Sequence, residues 1–140
     1  MKTPQWFRSP RVYVDAKILN MHDPALAREA YVGYLVGENG RRSAKKVDAT
    51  ESDDAEILAI LFAIEELEES YGRFTVVCDH ESVVSEANRA EVKHPSELME
   101  KLRRALKENP SIKLQALMAN PAHAVVTEFV NRTKTDQESD

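Results

Sequence analysis

Apolar residues recur along this chain with two different periods, and the changes from one to the other outline its architecture. Val12, Val14, Ala16 and Ile18 alternate with Tyr13, Asp15 and Lys17, the period of a strand, so Asp15 points away from the face carrying the apolar side chains. After a segment punctuated by Asn20, Asp23 and Pro24, where Asp23 and Pro24 suit the start of a short helical turn, Ala30 to Val36 forms a second β-rich run. The Asn39-Gly40 pair then favours a tight hairpin turn. Arg42 to Ala49 returns as a third strand, whose polar, basic sequence suits an exposed edge.

The period lengthens over Ser52 to Ser70. Ile57, Ile60, Leu61, Ile64 and Leu67 recur at helical spacing, Ser52 or Asp53 suits the cap, and acids fill the first turn. Gly72 closes this helix, and Arg73 to Asp79 is a β-rich run ending in an acid, with His80-Glu81-Ser82 opening another helix. Ser96 to Glu108 is amphipathic, with Leu98, Met99, Leu102 and Leu106 on one side, and Asn109-Pro110 stops it. Ser111 to Met118 supplies the last strand, Pro121 breaks the chain, and Val125 to Arg132 is a closing helix. A meander followed by strand-helix-strand crossovers predicts an α/β fold, a mixed five-stranded sheet with helices on both faces.

Composition adds limits to this picture. The 140 residues suit one domain, expected over residues 11–132, with an N-terminal extension at 1–10 and a flexible polar tail at 133–140. The longest apolar run, Ile57 to Ile64, is far too short for a bilayer span, and Met1 to Arg8 lacks the apolar stretch of a signal sequence. A cytoplasmic protein with no membrane partner is the resulting expectation. Cys78, the sole cysteine, sits in an apolar run and reads as a buried, unreactive thiol. The net charge of −5 means that any contact with nucleic acid would need a local basic patch. There is no phosphate-binding glycine loop, no Cys/His cluster suited to zinc and no triad context for Ser82.

The candidate chemistry lies in carboxylates. Asp15 is in the first strand, Asp79 ends the fourth, and Glu56 shares its helix face with Ala59, Ile60, Ala63 and Leu67, which turns it toward the sheet. A carboxylate on a buried face needs a partner. Converging carboxylates repel one another unless a cation neutralises them, and hard oxygen donors suit Mg2+ or Mn2+. Taken singly, Asp15 and Asp79 also fit turn or capping roles at strand ends. The remaining acids of the long helix, among them Asp54, Glu65 and Glu66, read as a solvated surface.

The segment Asp48-Ala49-Thr50-Glu51-Ser52-Asp53-Asp54-Ala55-Glu56-Ile57-Leu58-Ala59-Ile60-Leu61 resembles the helix signature of the ribonuclease H family, in which an Ala-Glu pair opens a small-and-aliphatic helix. Val12-Tyr13-Val14-Asp15-Ala16 resembles the family's first strand, and Val76 to Val84 its fourth strand and following helix. The resemblance implies the ribonuclease H-like fold and hydrolysis of the RNA strand of an RNA/DNA hybrid by two divalent ions. Asp15 would bridge the metals, Glu56 and Asp79 would complete the inner coordination, and a carboxylate from the closing helix would support the second ion.

Asn120 to Arg132 resembles the family's last loop and helix, but the position nearest the expected aspartate is Thr127, or Glu128 after a one-residue shift. On the resemblance, Glu128 would reach the metal and His123 would assist proton movement or product release; ordinary surface roles are the alternative for both. Ala16 also stands where the family usually has glycine after the aspartate. A second reading is therefore a catalytically degenerate module that keeps the fold to bind nucleic acid or a protein. Lys93, Lys101, Arg103, Arg104 and Lys107, with Arg41, Arg42, Lys45 and Lys46 on the hairpin, would contact phosphates, or else form a solvated surface.

Overall fold

The computed structural model describes residues 9–37, 40–118 and 121–138, with side chains as far as Thr133. A strand meander comes first: β1 (Arg11–Leu19), β2 (Glu29–Val36) and β3 (Arg42–Val47). Then follow α1 (Ser52–Leu67), β4 (Phe74–Cys78), α2 (Glu81–Asn88), α3 (Glu97–Glu108), β5 (Ile112–Ala116) and α4 (Ala122–Glu138). The strands form one sheet in the order β3-β2-β1-β4-β5, antiparallel across the meander and parallel from β1 through β4 to β5. This is the mixed five-stranded sheet that the two periods predict.

Alternation along β1 sorts the two faces. Val12, Val14 and Ala16 lie opposite Val36, Tyr34 and Val32, and these residues join Ile57, Ile60, Ile64 and Leu67 of α1, Val83 of α2 and Leu102 of α3 in one core. The other face of the sheet receives α4, where Tyr31, Val126 and Val130 are buried with Leu19 and Phe129 against them. Among the described residues, no helix is long and apolar enough to cross a membrane.

Several local details differ from the sequence reading. The N-cap of α1 is Glu51 and makes no side-chain cap bond; Ser52 is already helical, and the carboxylate of Asp53 is taken by His80 at 2.8 Å. The helix ends at Leu67 rather than Ser70, closed by backbone N–H groups of Ser70 and Tyr71 that both bond to the Leu67 carbonyl. Ser96, the first residue of the expected helix, is its N-cap, accepting from the Met99 N–H, and α3 proper starts at Glu97. The third strand stops at Val47, two residues short of Ala49. The closing helix runs from Ala122 to Glu138 and so continues through much of the expected tail; no Pro or Gly interrupts it over this stretch. Glu38 and Asn39 of the expected turn lie outside the described residues, while Gly40 has φ +71° and its N–H bonds to the Val36 carbonyl.

Candidate metal centre

The strands separate at one end of the sheet. β1 pairs with β4 only over Arg11–Tyr13, opposite Thr75–Val77, whereas its pairing with β2 continues to Leu19. Beyond Tyr13 a crevice therefore opens past the carboxyl end of β4, between neighbouring strands whose onward connections leave in opposite directions. Such a switch point is where open α/β sheets commonly place ligands. Asp15 lies on the wall formed by β1, Asp79 follows β4, and α1 delivers Glu56 from its second turn.

Two of these acids are buried, Asp15 at 4% exposure and Glu56 at 7%, while Asp79 is exposed. Glu56 is the most perturbed. Burial first, then the charges of Asp15 and Asp79, push its carboxyl up to about 8, against weaker lowering by hydrogen bonds from the Cys78 thiol and the Ala16 N–H. Asp15 is also raised, by burial and then by Asp79, with partial offset from His123 and from the same Ala16 N–H.

Ligand atoms of Glu56, Cys78 and Asp79 lie within 4.8 Å of one another. Cys78 is fully buried, as its sequence context suggests, but it does more than fill space. Its Sγ donates to Glu56 Oε2 at 3.4 Å and accepts from the His80 N–H at 3.4 Å, and burial followed by the Glu56 charge raises the thiol's pKa. His80 in turn reaches Asp53 at 2.8 Å and Ser82 Oγ at 3.1 Å, joining the start of α2 to the first turn of α1. Its partners are 27 and 2 positions away in the chain, so sequence spacing gave no sign of this link.

The α4 side is built differently. His123 Nδ1 stands 3.1 Å from Asp15 Oδ2, with most of the ring exposed. Thr127, one helical turn on, has a buried hydroxyl without a hydrogen-bond partner among the described residues. Glu128 lies on the exposed side and pairs with Arg132. α4 can approach this closely because β2 has glycine at position 33, opposite Asp15. A Cβ there would sit 2.8 Å from Val126 Cγ2 and 3.2 Å from the Ser43 carbonyl. The sequence signal was a lone glycine inside a strand, which marks a bulge or close backbone approach.

The arrangement fits a divalent cation. Asp15 and Glu56, both pushed up by burial and by the charge of Asp79, are relieved by a positive charge, and oxygen donors suit a hard ion. The Cys78 thiol belongs to the group with Glu56 and Asp79, and the His123 imidazole stands beside Asp15; each is engaged with a carboxylate oxygen.

No protein-family model matches the sequence, and no curated protein matches it. Similarity appears among solved structures. LC11-RNase H1, isolated from compost by a metagenomic approach, superposes with TM-score 0.64 at 20% identity over 86% of this chain and 91% of its own. The prototype foamy virus RNase H domain gives 0.63 at 17% over 89% of this chain and 90% of its own. The prototype foamy virus protease-reverse transcriptase gives 0.65 at 18% over 87% of this chain, which spans about a fifth, 19%, of that longer protein. With the 3-2-1-4-5 strand order, these likenesses establish a ribonuclease H-like fold.

Proposed function

We propose that this chain is a metal-dependent nuclease of the ribonuclease H type, hydrolysing the RNA strand of RNA/DNA hybrids with Mg2+ or Mn2+. The observation that carries the proposal is the convergence of Asp15, Glu56 and Asp79 in the crevice beside β4: Asp15 and Glu56 are buried, and both are pushed up by burial and by the charge of Asp79, Glu56 by that of Asp15 as well. Asp15, Glu56 and Asp79 would hold the cation, which supplies Lewis-acid polarisation of phosphate and a water acidified toward hydroxide.

The protein's own groups orient this centre. Glu56 accepts from the Cys78 thiol, which orients its carboxylate in the crevice. His123 holds Asp15 from the α4 side and, being largely exposed, can pass a proton between Asp15 Oδ2 and solvent. Glu128 is bound to Arg132 on the outer side of α4, so its service as a further ligand would require that pair to open.

The test is cleavage of a labelled RNA/DNA hybrid with Mg2+ or Mn2+, beside Asp15→Asn. Metal stabilisation of a phosphoryl transition state is worth several kcal/mol, so the variant should lose about 10³-fold or more in rate. Absence of cleavage by the unaltered protein with both metals would instead favour a non-catalytic binding module. The observation favouring that second reading is α4 itself, which brings His123 to Asp15, leaves the buried Thr127 hydroxyl without a hydrogen-bond partner among the described residues, and turns its glutamate outward.

A further inference from the structure

Away from the crevice, the surface of this acidic chain divides sharply by charge. The end of α2 and the last turns of α3 enclose a groove of about 620 Å³. It shares Asn88, Leu106 and Lys107 with a smaller hollow of about 280 Å³ at the start of β5, where Lys113 is added. No residue lining either is acidic, although 24 acids outnumber 19 basic residues in the chain. By contrast, the cavity at the start of α1 is lined by Asp53, Asp54 and Glu86.

The cations of the groove are of two kinds. Arg103 is committed to the fold, donating to the carbonyls of Glu86, Ala87, Arg89 and Ala90 at 2.8–3.3 Å. It thereby neutralises the carbonyl end of α2, which would otherwise make the groove wall negative. Arg89, Arg104, Lys107 and Lys113 are exposed and enter no ion pair among the described residues. Arg104 and Lys107 stand three residues apart on one helix face. Free, solvated cations gathered around a concave surface that lacks carboxylates match a polyanion with closely and regularly spaced charges, as in a nucleic-acid strand.

We propose that this groove binds the phosphodiester backbone of a nucleic-acid duplex, independently of base sequence. The choice of nucleic acid rests on the nuclease reading above. α2 starts beside Asp79 and ends at the groove, where Asn88 bonds to the Leu114 carbonyl. Eight residues of helix span about 12 Å, and phosphates recur about every 3.4 Å along each strand, so one duplex is long enough to meet both regions.

Anisotropy of a fluorescein-labelled RNA/DNA hybrid in EDTA, titrated with protein at several salt concentrations, isolates binding from cleavage. For Arg104→Gln/Lys107→Gln/Lys113→Gln, binding at low salt should weaken about tenfold or more and the slope of log affinity against log salt should fall by about 2–3. The triple variant Arg42→Gln/Lys45→Gln/Lys46→Gln, with the same change in net charge on the β3 edge, should lose distinctly less. Equal loss in both, or no loss in the first, overturns the groove. So does competition by poly-glutamate as effective as by unlabelled hybrid, which would assign the groove to an acidic protein segment. An unaltered protein that binds no hybrid in EDTA also overturns it, while cleavage with Mg2+ in the parallel assay decides the nuclease reading separately.

Discussion

The two faces of the sheet are held by very different amounts of apolar contact. On one, α1, α2 and α3 bury Ile57, Ile60, Leu67, Val83 and Leu102 against the inward residues of four strands. On the other, the apolar cluster among the described residues is smaller, Val126 and Val130 of α4 with Tyr31. Glu56 and Cys78 belong to the first region and His123 and Thr127 to the second, with Asp15 between them. The candidate centre therefore has one rigid wall and one wall whose position depends on a single, lightly anchored helix. A site with this construction can lose or change its α4 contribution without losing the fold.

The greatest separation between the two regions should appear on truncating a core side chain. Leu67→Ala should cost about 2–5 kcal/mol in urea unfolding, because it removes transfer energy and leaves a cavity in a fully buried position. The next effect tests the rigid wall electrically. Without divalent ions, Glu56 binds its proton up to about pH 8 in the folded protein, whereas an unfolded glutamate releases it near its usual value. The unfolded state then binds fewer protons, so stability should fall on the order of a few kcal/mol between roughly pH 4.5 and pH 8. Glu56→Gln should remove most of that slope, and a slope unchanged in the variant would assign it to another group.

A smaller effect is expected where the two regions meet. Gly33→Ala puts a Cβ against Val126 and the Ser43 carbonyl and should cost about 1–3 kcal/mol by overpacking. Hydrogen exchange should then accelerate in α4 while that of α1 stays unchanged; equal acceleration in both helices would mean that the faces are not separable. Smallest of all should be Val130→Ala, at about 1–2 kcal/mol, and a cost matching that of Leu67→Ala would erase the contrast.

The same contrast explains what could be read from the sequence. Elements facing the large core carry a strong period, so the strand of Asp15, the helix of Glu56 and the strand before Asp79 were all legible, as was the sheet they form. The extent of α4 was not, because a helix on a small core needs few apolar positions and Thr133 to Glu138 show no apolar period. Gly33 inside a strand signalled a bulge or close approach without saying to what, because that depends on which helix crosses the strand. Arg103 read as a phosphate contact or a solvated surface charge, yet its guanidinium binds the carbonyls at the end of α2 across a fold-dependent distance. Which α4 residues face Asp15 depends on the docking of that helix, which periodicity does not specify.

The short β1–β4 ladder has a kinetic consequence. Tyr13 and Val77, its last partners before the crevice, are 64 positions apart in the chain, whereas the meander of β1, β2 and β3 closes through much nearer contacts. Non-local pairings form slowly because the intervening loop must be ordered first. On this ground Asp15 is expected to enter a folded hairpin before it meets Asp79, and binding of a divalent ion at the proposed centre would follow the completion of folding rather than nucleate it.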